Sequence, residues 1–287
     1  LVAATDFLET LTPLHRVPEQ HATIQAAVDA AGNGDTILVG PGLWESFEVH
    51  NKDLLIQSTD GEESTYIDGV GDENCILCLD SVVQIEGFTI QNCRAADGAG
   101  IYAAGDELTV KSCQFRYNVV TTSGGGIWSN CDKTNILECT FQENRAWFAG
   151  AGLHTLGEEA FVTDCIFEQN NADNGGGFNV RSERSLIRNC MFMHNEARFT
   201  GGGLDLWHGD HDVESCYFEG NNSNKGGGLS MAQTATANFI SCEFFWNTAD
   251  LVGAGAWLDD ATGRFEHCRF MKNIAINSGG AIQSDEE

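Results

Sequence analysis

The chain has 287 residues and a formal net charge of −27, from 42 acidic against 15 basic side chains. A field of that sign repels phosphate backbones and anionic lipid surfaces, which excludes nucleic acid as a partner. At 42% hydrophobic the chain is too apolar for a disordered segment, and no run of 18 apolar residues offers a membrane span.

Taken in order, Leu1-Val2-Ala3-Ala4 has neither Met nor a basic stretch and reads as the start of a processed or trimmed chain. Further on, Ile24, Ala27, Val28 and Ala31 fall on one helical face, and Gly32 follows as a stop signal. This predicts a short helix over 23–31 that plugs the first coil of whatever follows. Apolar, β-branched runs predict a first strand at 36–39 and irregular strands at 43–49, 53–58 and 64–68.

From about residue 82 the chain repeats. Cys-x-Phe-x-x-Asn begins at Cys113, Cys139, Cys165, Cys190, Cys216, Cys242 and Cys268, at steps of 25 or 26 residues. A small triplet followed by a mostly apolar residue keeps the same register, from Gly98-Ala99-Gly100-Ile101 to Gly279-Gly280-Ala281-Ile282. Three residues before each Cys stands Val, Ile or Phe, types that pack on a pleated surface. Side chains two apart on a strand share a face, so Cys and Phe of each copy point together into a core. No single copy can bury that face, but stacked copies can. The Asn falls at a turn, where its amide can bond local backbone and stack as a ladder. The period is too short for a propeller blade, and it lacks the pattern of helix-pair repeats. The expectation is an all-β fold, a right-handed single-stranded parallel β-helix with a short N-terminal capping helix, right-handed by the crossover rule. It forms one domain over 1–287, with cap and irregular coils at 1–81 and regular coils of about 26 residues at 82–287.

Phe-x-x-Asn alternating with Gly-Gly-Ala-Ile segments resembles the repeat of the chlamydial polymorphic outer-membrane proteins and related surface β-helix proteins. The copy at 279–282 matches literally and the others are variants. The segments 22–31, 34–39 and 41–45 resemble the beginning of many pectin-lyase-like β-helices. Together the resemblances imply the fold over nearly the whole chain and an extracellular or cell-surface location, and they say little about activity.

The eleven cysteines are periodic, not clustered, and are expected to be reduced and structural in the core column, where Cys acts as a small hydrophobe. Cys75-x-x-Cys78 has no second pair at ligand spacing, and Cys93 and Cys131 are left unassigned. No metal site is assigned and no cofactor is expected, although the acidity favours divalent cations such as calcium.

The residue after each triplet's apolar position should face outward. That column reads Tyr102, Trp128, His154, Asn179, Asp205, Ser230, Trp257 and Gln283, and two residues on come Arg181, Trp207 and Asp259. Flat rings beside hydrogen-bonding groups suit sugars, so Tyr102, Trp128, His154, Asn179, Arg181, Asp205, Trp207, Trp257 and Asp259 form the candidate ligand face. Three readings are open. The face binds a carbohydrate or a protein partner, as in an adhesion or scaffold module. It is the site of a polysaccharide lyase or glycoside hydrolase, with Arg181 stabilising charge and His154 or Asp205 doing acid–base work. Or the aromatics simply cover a flat sheet. Near-constant coil length, with no inserted loops for groove walls, favours the first. The 207–212 stretch, Trp-His-Gly-Asp-His-Asp, is read as a solvated turn and not a metal site, and no Ser-His-Asp arrangement is readable. The sequence stops after a strand start with no cap, which predicts continuing chain or end-to-end association through the last coil.

Overall fold

Each 26-residue period forms one turn of a parallel solenoid. The computed structural model describes residues 13–69, 71 and 73–285. The start at 1–4 and the last two residues of the acidic end, 286–287, lie outside the described residues. Three parallel sheets build the stack: a wide one of 19 strands, to which most coils give two, a middle one of 10, and a short one of 8 that begins at Arg94. From Ile101 onward the coils follow the same course. The wide sheet comes first, then the Cys turn, the middle sheet carrying Phe, the Asn turn, the short sheet and the glycine triplet.

The middle sheet shows why the repeat forms. Phe115, Phe141, Phe167, Phe192, Phe218, Phe244 and Phe270 pair rung by rung in perfect register. Neighbouring rings stack with centroids 4.5–4.9 Å apart and their planes nearly parallel. That distance is the spacing of hydrogen-bonded strands, so backbone pairing and ring stacking are satisfied together. All but the last ring are fully buried.

The Asn turn is closed by a side-chain ladder. Asn170 is typical: Oδ1 accepts from the backbone N–H of Asn144 (3.1 Å) and from its Nδ2 (3.0 Å). Its own Nδ2 donates to the carbonyl of Phe141 (3.0 Å) and to Oδ1 of Asn195 (2.9 Å). All four hydrogen-bonding positions of a fully buried amide are thereby used. The residue before each Asn is left-handed whatever its type: Glu143, Gln169, His194, Trp246 and Lys272 all have φ between 53° and 58°.

At the front, Ile24–Ala30 is the helix expected, capped by Thr23, whose Oγ1 accepts from the N–H of Ala26 at 3.1 Å. Ile24, Ala27 and Val28 are its buried face. Lys52 reaches back to the carbonyls of Val28 and Ala31 at its C-terminal end (2.6 and 2.8 Å). Two expectations need correction. The first strand is Leu14–Val17, paired with 36–39; its Leu-His-Arg-Val lacks the alternation that marks a half-buried strand. The run 43–49 is two strands, Gly42–Trp44 in the middle sheet and Phe47–His50 in the wide one, because the chain turns a corner at Glu45 and Ser46.

The cysteine reading holds for the column and fails at its front. Cys113 to Cys242 are free and buried, and their thiols lie 3.1–3.6 Å from the carbonyl two residues earlier. Cys75 and Cys93, however, form a disulfide with a Cα–Cα distance of 5.8 Å, leaving Cys78 free and buried. Cys93 occupies the rung before Asn118, and its N–H donates to that residue's Oδ1 (3.0 Å). The disulfide therefore stands where the Asn ladder begins.

Candidate functional site

The outward column has the register expected: Tyr102, Trp128, His154, Asn179, Asp205, Ser230, Trp257 and Gln283 pair in succession down the wide sheet. Its exposure does not match the expectation. His154 is 4% exposed, Asn179 0%, Asp205 1% and Trp257 4%. The cause is the glycine corner, whose backbone folds directly over the column. A Cβ added to Gly150, Gly175 or Gly201 would lie 3.0, 2.8 and 2.8 Å from the Cβ of His154, Asn179 and Asp205. Each of these glycines is left-handed, with φ between 56° and 61°. His154, Asn179 and Asp205 are thus each roofed by the corner that leads into their own strand.

Beneath that roof lies a polar cluster. Asn179 Nδ2 donates to Asp205 Oδ2 at 2.6 Å, and the hydroxyl of Ser230 donates to Asp205 Oδ1. Burial drives the Asp205 carboxyl up to about 6, against the downward pull of Ser230, the Arg181 charge and Asn179. Burial, reinforced by the Arg181 charge, drives the His154 imidazole down to about 3. His154 is therefore neutral near pH 7. The Nδ1 of His154, Oδ1 of Asn179 and Nε of Arg181 are buried and have no hydrogen-bond partner.

Arg181 is half-buried and sits between two rings, its guanidinium carbon 4.4 Å from the Trp207 centroid and 5.6 Å from that of Phe148. Tyr102 and Trp128, also half-buried, stack at 4.4 Å. Trp257, expected on an open face, is covered: its Nε1 donates to Asp285 (2.9 Å) and the Lys225 ammonium lies 4.3 Å from its ring. Asp259 stands two rungs beyond Trp207 and outside the cluster. The structure thus brings together His154, Asn179, Arg181, Asp205 and Trp207, with Tyr102 and Trp128 adjoining.

Several features escaped the sequence. Trp147 and Phe148, 73% and 48% exposed, follow the short-sheet strand Arg145–Ala146 and lie outside the outward column. Ser185 Oγ lies 2.8 Å from Nδ1 of His211, whose Nε2 donates to the His208 carbonyl (2.7 Å). Both side chains are buried on the inner face of their strands, so this pair faces the core and not a substrate. His208 is exposed while His211 is inside, so the 207–212 stretch does not converge on an ion. Among the described residues no three His, Cys, Asp or Glu side chains form a metal-ligand set.

Family comparison agrees with the architecture. A model described as "Right handed beta helix region" matches residues 74–270, and the chain belongs to that right-handed β-helix family. No curated protein matches the sequence. Among solved structures it is similar to Escherichia coli YbhC at 12% identity, covering 88% of this chain and 84% of that one, with a TM-score of 0.44. Among the described residues no helix is long and apolar enough to cross a membrane.

Proposed function

We propose that this chain is a non-catalytic binding module displayed outside the cell, and that its ligand is a carbohydrate held at the corner between the wide and short sheets. One contrast carries the reading: the acid–base candidates His154 and Asp205 are 4% and 1% exposed, whereas Trp147 and Phe148 beside them are 73% and 48% exposed. General acid–base work needs the group within hydrogen-bond reach of the substrate proton. Rings need only an open face, and Arg181 between Phe148 and Trp207 adds donors in a fixed fork. The resemblance of the repeat to that of surface β-helix proteins is what supports the location. The rival reading, a polysaccharide lyase or hydrolase, draws on the raised Asp205 carboxyl beside Arg181.

The test is incubation with neutral and acidic polysaccharides, with and without calcium, following both chain cleavage and retention of the protein. Retention without cleavage, weakened in Trp128→Ala and Trp207→Ala, is the expected result. Cleavage that disappears in Asp205→Asn or Arg181→Lys would replace this reading with an enzymatic one.

A further inference from the structure

The corner between the short sheet and the glycine triplet comes in two lengths. One residue per rung bridges it to the neighbouring coil: Ala149, Asn174, Thr200, Lys225 and Val252 in succession. The coils that begin at Asn118, Asn144, Asn195, Asn247 and Asn273 reach that bridge, which continues to Ser123 at one end and Ser278 at the other, one residue later than those of Asn170 and Asn221, and register shifts mark the change. In three of the longer coils the residue before the bridge is apolar and protrudes: Phe148 is 48% exposed, Phe199 42% and Leu251 40%, whereas the longer coils on either side of these carry Thr122 and Asn277 there. The two shorter coils between them carry no such residue. Over the five rungs from Phe148 to Leu251 an apolar knob therefore stands on every second rung, and adjacent knobs are about 10 Å apart along the axis.

From this spacing we propose that the row Phe148, Phe199, Leu251 holds an extended β-1,4-linked polysaccharide lying parallel to the solenoid axis. The proposal rests on the carbohydrate reading above and names the ligand class and its direction. In a β-1,4-linked chain alternate sugar rings are flipped, so the same apolar ring face returns every second sugar, over nearly the two-rung interval. An extended peptide regains the same face every second residue, about 6.8 Å, and falls out of step with the knobs. An α-1,4-linked chain coils and does not follow a straight row. Hydroxyl partners are in place alongside. The guanidinium carbons of Arg181 and Arg198 lie 5.6 and 4.8 Å from the Phe148 and Phe199 centroids. Asp173, Arg198, Asn224 and Asp250 line a groove of about 590 Å³ beside the row, with Trp147 at its end.

The experiment is calorimetric titration of the whole protein with β-1,4-linked glucose and N-acetylglucosamine oligomers of increasing length, with an α-1,4-linked glucose oligomer as control. The span from Phe148 to Leu251 is four rungs, about 19 Å. Affinity should rise with length until the oligomer covers that span and then level off. Phe148→Ala and Phe199→Ala should each weaken binding about tenfold, and Leu251→Ala less. Tyr117→Ala, an exposed ring on another face, should have no effect. These side chains are surface-exposed, and unchanged unfolding midpoints would show that the variants fold. If a glycan binds the triple variant as tightly as the parent, or the α-linked oligomer binds equally well, the row is overturned while the binding-module reading stands. If no glycan of any linkage binds the parent, both fall.

Discussion

Two turns in every coil solve the same problem with different chemistry. At the Asn turn and at the glycine corner the chain reverses through a left-handed residue. At the Asn turn that residue can be Glu, Gln, His, Trp or Lys, because its side chain points to open solvent and the turn is closed from within by the amide ladder. At the corner it is always Gly, because a Cβ there would meet backbone: 2.2 Å from the Leu153 carbonyl at Gly150, and 2.4 Å from that of Leu204 at Gly201. The Asn turn is thus held by an interior side chain and free outside. The glycine corner has no side chain to hold it, and it roofs the column beneath. Conformational strain at a left-handed residue is therefore tolerable, and close approach of two backbones is not.

Adding a Cβ to the corner should do the greatest damage. Gly201→Ala combines a strained φ of 61° with contacts of 2.4 Å to the Leu204 carbonyl and 2.8 Å to the Asp205 Cβ. Loss of at least about 3 kcal/mol, or failure to fold in the three or four coils around it, is expected in urea unfolding. A midpoint close to the parent's would mean that the corner can open, and that His154 and Asp205 are not sealed.

Next comes the charge enclosed by that roof. The folded carboxyl of Asp205, near 6, lies above its ordinary value of 3.8. The folded protein therefore holds this proton more tightly than the unfolded chain, and the contribution is lost as pH rises from about 4 to 6. His154 has the opposite sign: its folded value, near 3, lies below 6.5, so its contribution grows as pH rises from about 3 to 6.5. In the parent the two slopes oppose each other. In Asp205→Asn only the histidine slope remains, so stability should climb more steeply between pH 4 and 6.5. Relative to the parent, the variant should gain on the order of 3 kcal/mol between pH 4 and pH 7. Parallel pH profiles for the two proteins would show that Asp205 titrates as an ordinary surface carboxyl.

At the Asn turn the corresponding deletion is milder. Asn170→Ala strips two donors of Asn144 and one acceptor each of Phe141 and Asn195. The expected loss is about 1–3 kcal/mol, read from the unfolding midpoint. No shift would mean that water replaces the ladder.

These contrasts also mark what could be read in advance. The fold was legible because Phe115 to Phe270 and Asn118 to Asn273 repeat at nearly one interval, and a solenoid converts a sequence interval directly into a spatial neighbour. The members of the site were legible for the same reason: His154, Asn179 and Asp205 do lie on successive rungs. Their burial was not, because alternation tells which face a side chain leaves but not what another part of the coil lays over that face. The disulfide was half-visible, since Cys93 precedes Asn118 by one period, but its partner Cys75 stands outside the repeat. The knobs at Phe199 and Leu251 were hidden by one-residue changes in spacing that look like noise until register is known.

The smallest expected effect separates the two turns most cleanly. Gln169 is left-handed at φ 56° and exposed next to the ladder. Replacing it with Gly removes a conformational penalty of about 1–2 kcal/mol in the folded state and adds a comparable chain-entropy cost in the unfolded state. Gln169→Gly should therefore shift stability by about 0.5 kcal/mol or less in either direction, in contrast to the loss at Gly201. A loss larger than Asn170→Ala would show that the Gln169 side chain itself holds the turn. A gain of more than about 2 kcal/mol would show that the ladder carries strain which the neighbouring Asn side chains merely offset.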